Sequence, residues 1–237
     1  MLYPLILCAG ALALFFYIRE KLLACSVKAV FLKALVSALF LAVAVYGAQR
    51  SALSGQTPLL VPLVILGLLF GLLGDIWLDL KFVYPADDRA YTYAGFLSFG
   101  IGHVLYIAGM LLSYPPAGKP LYALLPLLLA VLLSLGNALL EKPMKLSYGS
   151  MKPTVILYGV LLFSTLLIAG GLALYAHWQN RALNLIFAGG LLFALSDLIL
   201  SGTYFGTGKD RPVDIALNYL SYYPAQFLIA SSLLFLS

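Results

Sequence analysis

The stretch "LLVPLVILGLLFGLLGDIWLDLK", residues 59–81, decides the class of this fold. From Leu59 to Gly74 it carries no charged side chain, and it then closes on Asp75 and Asp79, one helical turn apart, before Lys81. A helix needs about 20 apolar residues to cross the hydrocarbon of a bilayer. Residues 59–80 meet that length, so they are predicted to span a membrane, with two carboxylates at the inner end.

Seven further stretches have the same character. The predicted spans are about 2–18, 26–45, 59–80, 91–112, 120–140, 154–176, 182–201 and 213–236. Of the 237 residues, 63% are hydrophobic and 10% charged, with a mean hydropathy of +1.01. A soluble domain keeps about a quarter of its residues charged. The fold class expected is therefore all-α: one polytopic bundle of eight transmembrane helices over residues 1–237. The connections are short, so chemistry is expected within the membrane or at its surface.

The basic residues suggest an orientation. Arg19, Lys21, Lys28, Lys33, Lys81, Arg89, Lys142, Lys145, Lys152, Lys209 and Arg211 fall around the connections after the odd-numbered spans. The other connections hold Arg50, Lys119 and Arg181, one each. Positive residues accumulate on the cytoplasmic side. Both termini are thus expected outside the cytoplasm, in a bacterial cytoplasmic membrane. The net charge of +5 reads as topology and argues against a nucleic-acid partner. Residues 1–10, "MLYPLILCAG", have no basic group ahead of the apolar run and read as a retained span rather than a signal peptide. Cys8 and Cys25 are too far apart in depth to pair. "GTGK" at 206–209 lacks the spacing of a phosphate-binding loop. No G-x-S-x-G stretch occurs, which weakens a serine-hydrolase reading.

The remaining polar residues are the informative ones. Asp75 lies about 9 Å below the cytoplasmic surface at 1.5 Å per residue. Gly67, Gly71, Gly74, Asp75 and Asp79 share one helix face, because positions three and four apart are neighbours. Small residues let helices approach closely in lipid, so this face is expected to point inward. Span seven repeats the arrangement, with Ser196-Asp197-Leu198 echoing Gly74-Asp75-Ile76. His103 and Gln226 follow the two aspartates on the next helices, which hints at a duplication. Asn218, Tyr222 and Gln226 line up at successive fours in span eight, with a kink expected at Pro224. Lys33 and Tyr158 reach similar depths. These groups are expected to converge on one polar pocket, where a carboxylate costs about 2.5–3.5 kcal/mol to insert and faces a cavity or a partner. The plain alternative is helix-to-helix pairing. Asp79, beside Lys81, reads as a solvated helix end, His103 as a ligand or a packed core residue, and His177 with Trp178 as an interfacial anchor.

Four segments also resemble a known family. "GLLFGLLGDIWLDL", "FLSFGIGHVLYIAG", "GGLLFALSDLILS" and "NYLSYYPAQFLIA", in this order and spacing, are similar to the lysoplasmalogenase (YhhN-like) family. The likeness covers spans three to eight; Lys33-Ala34 departs from an expected Lys-Pro. It implies an eight-span hydrolase acting on the vinyl ether of a lysophospholipid substrate among membrane lipids, with fatty aldehyde and a glycerophospho-alcohol as products. No cofactor or metal is implied. The family's acidic residues match Asp75 and Asp197, which become the expected catalytic pair, with Asp75 favoured as the acid. His103, Tyr222, Asn218, Gln226, Lys33 and Tyr158 become expected substrate-binding groups. Cleaving a vinyl ether needs one proton donor and one carboxylate to stabilise an oxocarbenium ion, as glycosidases do. Competing readings are a small lipid transporter or flippase, a lipid hydrolase of other bond specificity, and a metal hydrolase using His103, Asp75 and Asp197.

Overall fold

In a computed structural model, residues 2–55, 58–207 and 210–236 are described. Eight long helices follow one another: α1 (Leu2–Leu23), α2 (Val27–Leu53), α3 (Leu60–Val83), α4 (Asp88–Ser113), α5 (Leu121–Leu139), α6 (Lys152–Tyr175), α7 (Arg181–Phe205) and α8 (Pro212–Ser231). Each coincides with a span predicted from the sequence; α1, α2, α3 and α7 run three to eight residues past the apolar C-terminal limit, whereas α8 stops at Ser231, short of the predicted 236. A 3₁₀ turn at Pro85–Asp87 leads into α4, and another at Ser232–Phe235 continues α8. The helix starts follow local chemistry. Ser26 caps α2 by accepting from the Ala29 amide at 3.3 Å, and Asn180 caps α7 through the Leu183 amide at 3.1 Å. Pro212 opens α8, where its missing N–H is no loss.

Seven of the helices, α1 to α7, are long and apolar enough to cross a membrane on composition alone. Helix α8 falls short because its buried face is polar, with Asn218, Ser221, Tyr222 and Gln226 all turned inward. It packs against α7, α2, α1 and α3, which makes it a central post of the bundle. It also continues as helix through Pro224.

Sequential helices pair, α3 on α4, α5 on α6 and α7 on α8, with α6 bridging α4 to α7. The α3–α4 seam is close. A methyl group on Gly67 would come within 2.3 Å of the Tyr106 ring, and one on Gly95 within 2.3 Å of Leu78. The glycine-aspartate face of α3 is buried as its spacing predicts. Helix α5 lies at the edge. It buries only Pro126, Ala130, Ser134 and Ala138, a stripe of four-residue spacing, and leaves most of its leucines outward.

The α5–α6 connection folds back over the end of α7. Ser147 donates its amide to the Phe205 carbonyl at 2.8 Å, and Leu146 bridges Gly206. Glu141 anchors the turn by accepting from Lys152 Nζ and the Tyr148 amide, each at 2.7 Å. These two donors hold its carboxyl below the usual glutamate range. Cys8 and Cys25 are both free and exposed.

Candidate active site

The C-terminal end of α3 is built around Lys33. Its ammonium lies 3.5 Å from Asp75 Oδ1 and 3.4 Å from Asp79 Oδ1, and all three side chains are at least 96% withdrawn from solvent. Asp79 also accepts from Lys21 Nζ at 2.9 Å and from the Tyr17 hydroxyl at 3.0 Å. The solvated helix end expected for Asp79 is therefore incorrect. Helix α1 packs on α2 and α8 and covers the carboxylate with Tyr17 and Lys21, neighbours one turn apart on the same face.

Asp75 faces the other way. Its Oδ2 accepts from Ser37 Oγ at 2.6 Å and from the Tyr222 hydroxyl at 2.8 Å. Tyr222 is in turn held by Gln226 Nε2 at 3.0 Å, and Gln226 Oε1 accepts from Tyr106 at 3.4 Å. Four helices thus fix one carboxylate: α2 by Lys33 and Ser37, α3 by the residue itself, α8 by Tyr222 and α4 by Tyr106 through Gln226.

Asp197 of α7 accepts from the Tyr158 hydroxyl of α6. No Lys or Arg among the described residues lies within ion-pair distance of it. Next to it, Asn218 Nδ2 bonds the carbonyl and hydroxyl of Ser196 at 2.8 and 3.0 Å, tying α8 to α7. Asp75 and Asp197 open onto one cavity, with Lys33, Tyr158, Ser196, Asn218 and Tyr222 at its polar end. Phe96, Phe99, Leu162 and Phe163 make the apolar wall. That lining suits an amphiphile, with an apolar wall and a few placed polar groups.

A family model described as the YhhN family matches residues 28–233. The chain belongs to the YhhN family. That family includes lysoplasmalogenases. No curated protein and no solved structure matches the chain.

Six of the expected site residues meet at the cavity: Asp75, Asp197, Lys33, Tyr158, Asn218 and Tyr222. Gln226 and His103 stand behind its wall. Gln226 orients Tyr222. His103 bonds Thr165 Oγ1 through Nδ1 at 3.0 Å and packs against Phe193, with ring centres 4.9 Å apart. Its Nε2 is buried without a hydrogen-bond partner among the described residues. The three-ligand metal site of His103, Asp75 and Asp197 does not assemble: no group of three such donors among the described residues is close enough to hold an ion.

Three contributors were missed. Ser37 lies four residues after Lys33, and that spacing was the available signal. Tyr17 and Lys21 belong to α1, before the segment the YhhN model matches, and Lys21 read as a loop cation because it ends a helix.

Proposed function

We propose that this YhhN-family protein is a membrane hydrolase that cleaves the vinyl-ether bond of lysoplasmalogens. The observation that carries the reading is a pair of carboxylates, Asp75 and Asp197, on one cavity with unequal partners. Asp75 has an ammonium and two hydroxyl donors, a set that suits a carboxylate. Asp197 has one hydroxyl and no cation among the described residues, a set that suits a proton donor. We therefore reassign the acid from Asp75 to Asp197.

In the reaction, Asp197 delivers a proton to the β-carbon of the vinyl ether, leaving an oxocarbenium ion at the ether-bearing carbon. Asp75 stabilises that cation across the cavity and takes a proton from the water that adds to it. The resulting hemiacetal loses its alcohol, giving fatty aldehyde and glycerophospho-alcohol, and the proton on Asp75 returns through water to Asp197. The orientation that puts these helix ends in the cytoplasm, in a bacterial cytoplasmic membrane, is part of the same proposal.

The test is aldehyde release by purified protein from a lysoplasmalogen, beside monoacyl and diacyl phospholipids. Aldehyde from the vinyl ether alone supports the reading. Fatty acid from the esters, or no turnover of the vinyl ether, refutes it.

A further inference from the structure

A second cavity adjoins the first, toward the α3–α4 and α7–α8 connections. Tyr204, Asn218, Tyr219 and Leu200 form the wall common to both. Its own lining includes Lys21, Lys81 and Asp210. The two ammonium groups stand 3.7 and 5.2 Å from the centre of one ring, Phe82. Lys81 also sits 3.6 Å over the Tyr204 ring, within the range of a cation–π contact.

Neither lysine is saturated by its partners among the described residues. An ammonium has three protons to donate. Lys21 gives one to Asp79 at 2.9 Å. Lys81 lies 3.3 Å from Thr92 Oγ1 and 3.2 Å from Asp88, whose side chain is 56% exposed and so largely solvated. A surface partner of that kind contributes little and yields to a better anion. Asp210 would repel a bare phosphate dianion but would favour a group that carries its own cation.

We propose that this cavity is the headgroup subsite, binding the phosphate of a zwitterionic lysophospholipid between Lys21 and Lys81 with its amine toward Asp210. The assignment rests on the proposed reaction for its substrate. A substrate so held presents, in order, a phosphate at the lysines, an ether at the two acids and a chain along Phe96 and Phe99.

Binding separates this idea from the chemistry. A saturated 1-alkyl lysophosphocholine has no vinyl bond, and 1-alkylglycerol of the same chain lacks the phosphate. Their affinities for the full-length protein in nanodiscs are measured by calorimetry, with inorganic phosphate as a competitor. The phospholipid is expected to bind about 10-fold tighter or more, the scale of charge-assisted hydrogen bonds. Lys81→Gln should abolish most of that preference and Lys81→Arg should keep it. Thr203→Trp, which fills the cavity from α7, provides a second variant and should also abolish it. An unchanged preference in Lys81→Gln and Thr203→Trp overturns the subsite, as does displacement by inorganic phosphate with no gain from the chain. If the preference holds but no aldehyde is ever released, the subsite stands and the reaction fails.

Discussion

Replacing Asp79 with asparagine tests the buried charge cluster directly. The carboxylate is 1% exposed and compensates two ammonium groups, Lys21 at 2.9 Å and Lys33 at 3.4 Å. An amide keeps the shape but leaves Lys21 with no carboxylate partner among the described residues and Lys33 with Asp75 alone. Removing one partner of a buried ion pair costs about 3–5 kcal/mol, and so little exposure leaves no solvent screening to reduce it. For a chain of this size about 1 kcal/mol moves the melting temperature by 2–4 °C, so a fall of roughly 6–20 °C is expected. The assay is thermal unfolding of detergent-solubilised protein, followed by loss of the monodisperse peak. Adding Lys21→Met removes the surplus cation, so the double variant should melt higher than the sum of the two single losses predicts. A melting temperature within about 2 °C of wild type, or strict additivity, would refute the view that Asp79 compensates the two buried ammonium groups.

Asp75→Asn and Asp197→Asn should each lower vinyl-ether cleavage by about 10² to 10⁴-fold at equal amounts of folded protein. The double variant should be little worse than either, since residues acting together are non-additive; near wild-type rates in both singles would make the acids structural. Tyr158→Phe removes the hydroxyl that stabilises Asp197 as it becomes an anion on giving up its proton, and should lower the rate by about 10-fold, on the scale of one hydrogen bond to a charged group, with little change in melting temperature. Gly171→Ala would place a methyl 2.4 Å from the Tyr122 carbonyl and should destabilise the α5–α6 seam by about 1–3 kcal/mol, read by thermal unfolding. A reporter fused after Ser237 should report from the non-cytoplasmic side and one within residues 141–153 from the cytoplasm; a cytoplasmic C-terminus would overturn the assigned orientation.

The helices were legible because lipid leaves few alternatives: an apolar run of span length satisfies its backbone only as helix. The polar pocket was legible for a related reason, since Asp75, Asp197, Tyr222 and Asn218 had no other affordable place. The partners were harder to see. Asp79 looked solvated because its nearest cation in sequence is Lys81, whereas the fold brings Lys21 and Lys33 to it from α1 and α2. Which helix crosses beside which depends on tertiary packing that no local pattern encodes. His103 shows the converse, because its depth suggested a working side chain while its contacts are Thr165 and aromatic rings. The choice between the two acids turned on Lys33, whose reach to Asp75 required the α2–α3 contact.

Helix α8 has a consequence for how the protein is made. Its inward stripe of Asn218, Ser221, Tyr222 and Gln226 makes it a poor candidate to leave the insertion machinery for lipid by itself. The groups that satisfy Asn218 and Tyr222 are on α7 and α3, which precede it in the chain. Biogenesis is therefore ordered: the earlier helices must already stand in the bilayer as a receptor for α8. A lesion at Asp75 or Ser196 is then expected to show first as poorer insertion of α8.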